Sequence, residues 1–294
     1  MMRSLYSAVS GLRNHQTKMD VIGNNIANVN TVGFKEGRTS FKDMLSQTVQ
    51  GAAAPSANQG GTNPMQVGLG VTLGSIDTIM SQGSAESTGK NTDLMLQGDG
   101  FFVLNDAGKQ VFTRAGAFDT DANGNLVDPS SGALVQANLF DITGAPAGTG
   151  PIKLLKGQPF PQGGGPATEG LTSFSIDNSG TITGIFYDPT ATPPTTTARK
   201  IGQLQVAVFA NPAGLTKDGG NYYSASNNSG APTIGVAGSN GAGEVIPGAL
   251  EMSNVDLSQE FTDMIVTQRG FQANSRVITV SDSLLEELIN LKRS

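Results

Sequence analysis

The side chains of this chain that could do chemistry lie mainly in two stretches. Residues 119–128, DTDANGNLVD, set Asp119, Asp121 and Asn123 at the first, third and fifth places of a calcium loop, with Gly124 at the sixth. Oxygen donors at that spacing wrap a hard cation, but such a loop closes on a bidentate Glu at its twelfth place, and Ser130 stands there. Flanked by Phe118 and Leu126-Val127, the stretch reads more simply as a hairpin turn. Residues 83–91, GSAESTGKN, approach a phosphate-binding loop, yet Asn91 replaces the Ser or Thr that would hold magnesium, and the glycines are one residue too far apart. The chain has one histidine and no cysteine, so thiolate or multi-histidine metal sites and a disulfide framework have no residues to build them, and a histidine-based catalytic pair could use His15 alone. His15 falls at an inner position of a helical pattern, where an interface role is the simpler reading. The residues predict no catalytic site, no cofactor site and no metal site, and hence not an enzyme.

The elements that would position such residues are patterned for packing. At the N-terminus Leu5, Leu12, Met19 and Ile26 recur every seven positions, with Ala8, Ile22 and Val29 three residues on. At the C-terminus Leu257, Met264, Phe271, Ile278 and Leu285 keep the same beat, and Val277, Leu284 and Leu291 widen the stripe. A seven-residue apolar repeat is the signature of helices that pair along a seam. The first helix is expected from about residue 4 to 28, ending where Asn24, Asn25, Asn28 and Asn30 crowd before Gly33. The second is expected from an N-cap at Asp256 to about Leu291.

Between them the signals are β. Of 39 glycines, 34 lie between the two helical ends. Apolar runs 101–104 and 110–113 flank Asn105-Asp106-Ala107-Gly108, and runs 174–176 and 181–183 flank Asp177-Asn178-Ser179-Gly180; Asp or Asn with Gly is hairpin turn chemistry. Residues 204–208 alternate as a half-buried strand does. The chain therefore reads as α+β: a mainly antiparallel β outer body over 71–250, a helical stem segment over 1–38, a linker over 39–70, and a second stem segment over 251–294. Low-complexity stretches at 50–64, 157–170, 189–198 and 226–243 read as connections. Net charge is −6, with no basic patch interleaved with aromatics, which argues against nucleic acid. No run reaches the roughly 18 apolar residues of a membrane span, and the N-terminus has no secretory core, so membrane insertion and signal cleavage are not expected.

The run NNIANVNTVGFK (24–35), with SAVSGL (7–12) and MDVIGN (19–24) before it, resembles the N-terminal signature of the axial proteins of the bacterial flagellum, the rod and hook family. The resemblance continues through LMLQGDGFFVL (94–104) and FTRAGAFDTDANGNLVD (112–128), and returns over 249–293. It implies terminal helices that form a coiled-coil stem inside a tubular homopolymer, with β domains outward. Leu5, Leu12, Met19, Ile22 and Ile26 would then pack with Leu257, Met264, Phe271, Ile278 and Leu285 within and between subunits, and Asn24, Asn25, Gly33 and Phe34 would form the turn leading out of the stem. It also implies export through the flagellar type III apparatus without cleavage, and adjacent axial proteins as partners: distal rod, hook cap and hook–filament junction. Residues 39–49, 61–71 and 211–223 look more like the hook member, in a short form outside the cell, than the distal rod member. A different reading from the β-rich composition is a secreted binding module whose helices only oligomerise it.

Overall fold

The computed structural model describes residues 2–55, 60–157, 160, 170–189 and 195–291. The fold is mostly antiparallel β with one helix near each end, and it divides into two compact units. The stretch 158–169, Pro193-Pro194 and the tip of the 50–64 connection lie wholly or largely outside the described residues, as do Lys292 and Arg293.

The first unit holds residues 1–28, 36–79 and 255–294. Its helices are α1 (Met2–Ala27) and α2 (Leu257–Leu291). Asp256 caps α2 as the sequence predicts: its Oδ1 accepts from the Ser258 N–H at 2.8 Å and the Gln259 N–H at 3.3 Å, satisfying donors that the first turn leaves open. At ~1.5 Å per residue α2 spans about 52 Å. The other helix ends at Ala27, where the Asn28 amide and side chain both turn back onto the Asn24 carbonyl, at 3.1 and 2.9 Å.

Residues 39–70, expected as a linker, carry strands at 39–43, 46–50 and 65–68. β1 (Gly37–Asp43) pairs antiparallel with β4 (Val71–Thr78), and between them β2 (Ser46–Gln50) pairs with β3 (Met65–Gly68). The low-complexity tip at 50–64 drew the linker reading, while the Thr, Ser and Val runs on either side carried a strand signal with no buried face to sharpen it. From Met44 to Ile76 there is no charged side chain. β3 is exposed on both faces and β2 on nearly all of both; a two-stranded ribbon standing alone in water is marginal.

The second unit holds residues 29–35 and 80–254. Its main sheet runs antiparallel through the strands Gly170–Ile176, Thr181–Asp188, Thr195–Val208, Leu134–Phe140, Phe101–Asp106, Lys109–Thr113, Tyr222–Ser224 and Thr216–Gly219. Both predicted hairpins are present, and Ala107 and Gly108 take the positive φ values, 48° and 93°, that a tight two-residue turn needs.

The central strands are covered on both sides. In Phe101–Asp106, Phe102 and Leu104 join one apolar cluster while Phe101 and Val103 join a second with Phe112, Phe209 and Tyr223. That is why FFVL is a continuous apolar run rather than an alternating one. The segment 204–208, predicted to be half-buried, is likewise enclosed. Leu204 and Val206 face one cluster and Ala207 the other, and buried Gln205 donates to Asn138 Oδ1 at 2.9 Å. Replacing Asp256 by Ala is expected to lower the melting free energy of the helical unit by about 1 kcal/mol, while Asn, which also caps, retains it; circular dichroism melts of the two variants compare them directly.

Candidate assembly interface

Within the first unit the helices run antiparallel. Asn25 Nδ2 donates to Glu260 Oε1 at 2.9 Å. A Cβ added at Gly270 would lie 2.8 Å from His15 Nε2, and one at Gly11 2.7 Å from Asn274 Nδ2. The buried positions of α1 are Ala8, Gly11, Ile22 and Asn25; those of α2 are Glu260, Thr267 and Ser281. Apart from Ile22 the centre of this seam is thus small or polar, and the helices approach through residues that bury little apolar area.

The predicted apolar rows lie beside that centre. Ile22 is buried, but Leu5, Leu12, Met19, Ile26, Met264, Phe271, Ile278 and Leu285 are half-buried and Leu257 is exposed. In the single chain these rows flank the seam, with part of their apolar surface still exposed. A seven-residue repeat specifies a period and leaves open which of two adjacent rows faces inward. Farther round, Phe261, Ile265, Val266, Val280, Leu284 and Leu288 of α2 are exposed, Val266 at 60%. These exposed apolar side chains fall into two groups, at 257–266 and 277–291, separated by exposed Gln268, Arg269, Gln272 and Arg276; grouped exposed apolar side chains mark interaction surfaces.

Asn25 ties three elements. Its amide exchanges two hydrogen bonds with the Gly37 backbone, at 2.9 and 3.0 Å, and its third reaches Glu260. Asn24, by contrast, is exposed and contributes its carbonyl to the helix end. Burial raises the Glu260 pKa; the Asn25 hydrogen bond opposes the rise, Asp263 adds to it and Lys18 opposes it. Its Oε2 is buried without a hydrogen-bond partner among the described residues.

In the second unit, residues 29–35 are strapped to the β body. Gly33 has φ +69°, its amide donates to the Glu251 carbonyl at 2.7 Å, and a Cβ there would sit 2.6 Å from the Ala115 nitrogen. Two separate demands, a left-handed backbone and a close approach, require glycine. Lys217 Nζ stands 5.2 Å from the Phe34 ring centre and donates to the Lys35 carbonyl at 3.3 Å, and Asn221 donates to the Val32 carbonyl at 3.0 Å.

Lys35, unmarked by the sequence reading, is fully buried. It pairs with Glu251, also fully buried, and donates to the Ser81 carbonyl at 2.9 Å. Glu251 Oε1 further accepts from the Gly83 amide at 3.0 Å, while Oε2 lies 3.4 Å from Arg114 Nη1. Arg114 in turn covers the Phe101 ring at 5.3 Å. Burial pushes the Lys35 pKa down and the Glu251 pairing works against it.

The candidate cation loop is a turn. Asp121 Oδ1 accepts from the amides of Asn123 and Asn125, at 2.9 and 2.6 Å, and Asp119 pairs with Lys90 at 3.1 Å. No group of three metal-ligating side chains occurs among the described residues. No described helix is long and apolar enough to cross a membrane.

Three family models match the chain: the flagella basal body rod protein over residues 5–35, the flagellar hook protein FlgE/F/G D1 domain over 95–184, and the flagellar basal body rod FlgEFG protein C-terminal over 246–291. The flagellar basal-body rod protein FlgG of Bacillus subtilis is 46% identical over 294 residues, covering all of both chains. The chain belongs to the flagellar rod and hook protein family. It is accordingly a flagellar structural protein and not an enzyme. The flagellar hook protein FlgE of Borreliella burgdorferi is 34% identical over 448 aligned residues, covering 99% of this chain and all of that one. That of Helicobacter mustelae is 52% identical over 144 residues, 48% of this chain and 32% of its own. Each of the three family matches contributes one member of the buried clamp: Lys35, Arg114 and Glu251.

Lys35→Met leaves Glu251 in a dry site with the Gly83 amide and, as its charged partner, the more distant Arg114, and is expected to cost about 3–5 kcal/mol in urea unfolding. Glu260 binds its proton more tightly folded than unfolded, so its contribution to stability is greatest below its ordinary pKa of 4.5 and falls as pH rises through that value to the raised one. Glu260→Gln keeps an acceptor for Asn25 and removes the charge; its melting temperature is expected to vary less between about pH 4 and pH 7 than that of the parent.

Proposed function

We propose that this chain is a subunit of the flagellar hook, polymerising with itself into a flexible tube that passes motor torque to the filament. The observation that carries the reading is the pair of apolar groups at 257–266 and 277–291 of α2, left exposed in the single chain because the helices meet mainly through small and polar residues. Leu5, Leu12, Met19, Ile26, Leu257, Met264, Phe271, Ile278 and Leu285 then complete their burial in a coiled-coil stem shared between copies, at about 25 cal/mol per Å² of apolar surface. Asn24, Asn25, Gly33 and Phe34 carry the chain out of the stem. The uncharged ribbon of β2 and β3 suits surfaces that slide without breaking ion pairs. The partners are other copies, the distal rod, hook cap and hook–filament junction proteins, and the type III export apparatus, with export uncleaved to a position outside the cell.

A second reading, a subunit of the distal rod, is favoured by the end-to-end match with the Bacillus subtilis rod protein, whereas the Borreliella hook alignment extends well beyond 294 positions. Electron microscopy of the purified protein is expected to show tubes, and a version lacking residues 1–30 none. Basal bodies from cells lacking the gene separate the readings: complete rods without hooks support the hook, and rods missing their distal part support the second reading.

A further inference from the structure

The two paired helices are unequal in length, and their register shows where the excess lies. Gly11 faces Asn274 and His15 faces Gly270, so Met2 falls opposite residue 283. Residues 284–291 of α2 extend about 12 Å past the first described residue of α1. This overhang carries Leu284, Leu288 and Leu291 at the i, i+4, i+7 spacing of one helix face, all exposed, Leu291 at 71%. Glu287 borders that face, and from Asp282 to Leu291 the helix holds three acids and no base. An apolar face left this exposed has little of the burial that stabilises a helix.

The same unit offers a matching surface. A groove of about 570 Å³ lies between the first turns of α1 and the turn joining β3 to β4, lined by Tyr6, Val9, Met44 and Leu69 with Arg3 and Arg13 at its edges. Its walls are fixed to each other, because Asn14 Nδ2 donates to the Val71 carbonyl at 2.8 Å. The first 19 residues hold three bases and no acid, and neither Arg3 nor Arg13 forms an ion pair among the described residues. The apolar and cationic lining residues complement the apolar, acidic overhang.

We propose that the end of α2 in one copy, residues 280–291, seats in the α1–β4 groove of a second copy, with Glu287 facing the arginine edge. The proposal rests on the self-assembly reading and adds which surfaces meet and in which direction copies follow one another. The contact joins two different patches, so it is head-to-tail and propagates without closing. Within one chain the two patches cannot meet: residue 9 lies opposite residue 276, about 18 Å along the helix from residue 288.

The absence of cysteine makes the test direct. The double variant Val9→Cys/Leu288→Cys is allowed to polymerise and then oxidised. A ladder of disulfide-linked dimers, trimers and higher species on a non-reducing gel, absent from oxidised monomer, is the expected result. Tubes without a ladder overturn this contact and leave self-assembly standing; a parent protein that forms no tubes overturns both. If the cysteine variant does not polymerise, charge reversal provides an independent readout. Arg3→Glu/Arg13→Glu is expected to slow polymerisation at low salt by about tenfold, and adding Glu287→Arg to recover at least about a third of the lost rate. Equal rates in the parent and the arginine variant, or no recovery, overturn the proposal.

Discussion

Helices that meet through alanine, glycine, threonine and serine come close but remove little apolar surface from water. In the first unit most inner positions of the antiparallel pair are of this kind, Ile22 being the large apolar exception, with Asn25 and Glu260 making one hydrogen bond across it. The larger side chains are displaced to the flanks and the outer face of α2, where Phe261, Ile265 and Val280 remain in contact with solvent. Apolar burial at about 25 cal/mol per Å² is the main favourable term in association, and here much of it is still available after the chain has folded. A small-residue seam therefore sets a close, defined helix register and leaves larger apolar side chains on the flanks partly exposed.

The second unit resolves the opposite problem, with a core closed on both faces of its central strands. Its least ordinary feature is a charged centre: Lys35, Glu251 and Arg114 are nearly or fully removed from solvent. Burying such groups is costly, and a buried pair is weak grounds for claiming net stability. Its consequence is specificity of placement. Glu251 uses both oxygens, on Lys35 and the Gly83 amide and toward Arg114, so three segments far apart in sequence can occupy only one arrangement. Gly33 adds a steric condition to the electrostatic one, since its own amide also reaches the Glu251 carbonyl. The short strap 29–35 thereby belongs to the β body although its neighbours on both sides belong to the helical unit.

The two stretches that most resembled chemical sites show how local geometry uses the same residues for other ends. Asp121 binds backbone amides of its own turn, and Asp119 holds Lys90. Carboxylates at alternate positions followed by glycine describe a tight turn as well as they describe a cation loop, because both need oxygen acceptors on the inside of a sharp bend.

The sequence by itself determined the class of fold, the two terminal helices to within a few residues, the Asp256 cap and both Asp- or Asn-Gly hairpins. These are local properties: propensity, capping and turn chemistry act within a few residues of chain. It also contained the long motifs that mark the rod and hook family. Tertiary structure alone decided the phase of the helix pairing, since adjacent rows share one period and only a partner selects between them. It alone made strands of 39–43, 46–50 and 65–68, whose exposed faces leave no alternation to read, and it covered 204–208 on both sides by packing a second cluster over them. Lys35 and Glu251 look like ordinary surface charges in sequence, 216 residues apart; no local rule pairs them, because their burial exists only once the strap and the body have closed around both.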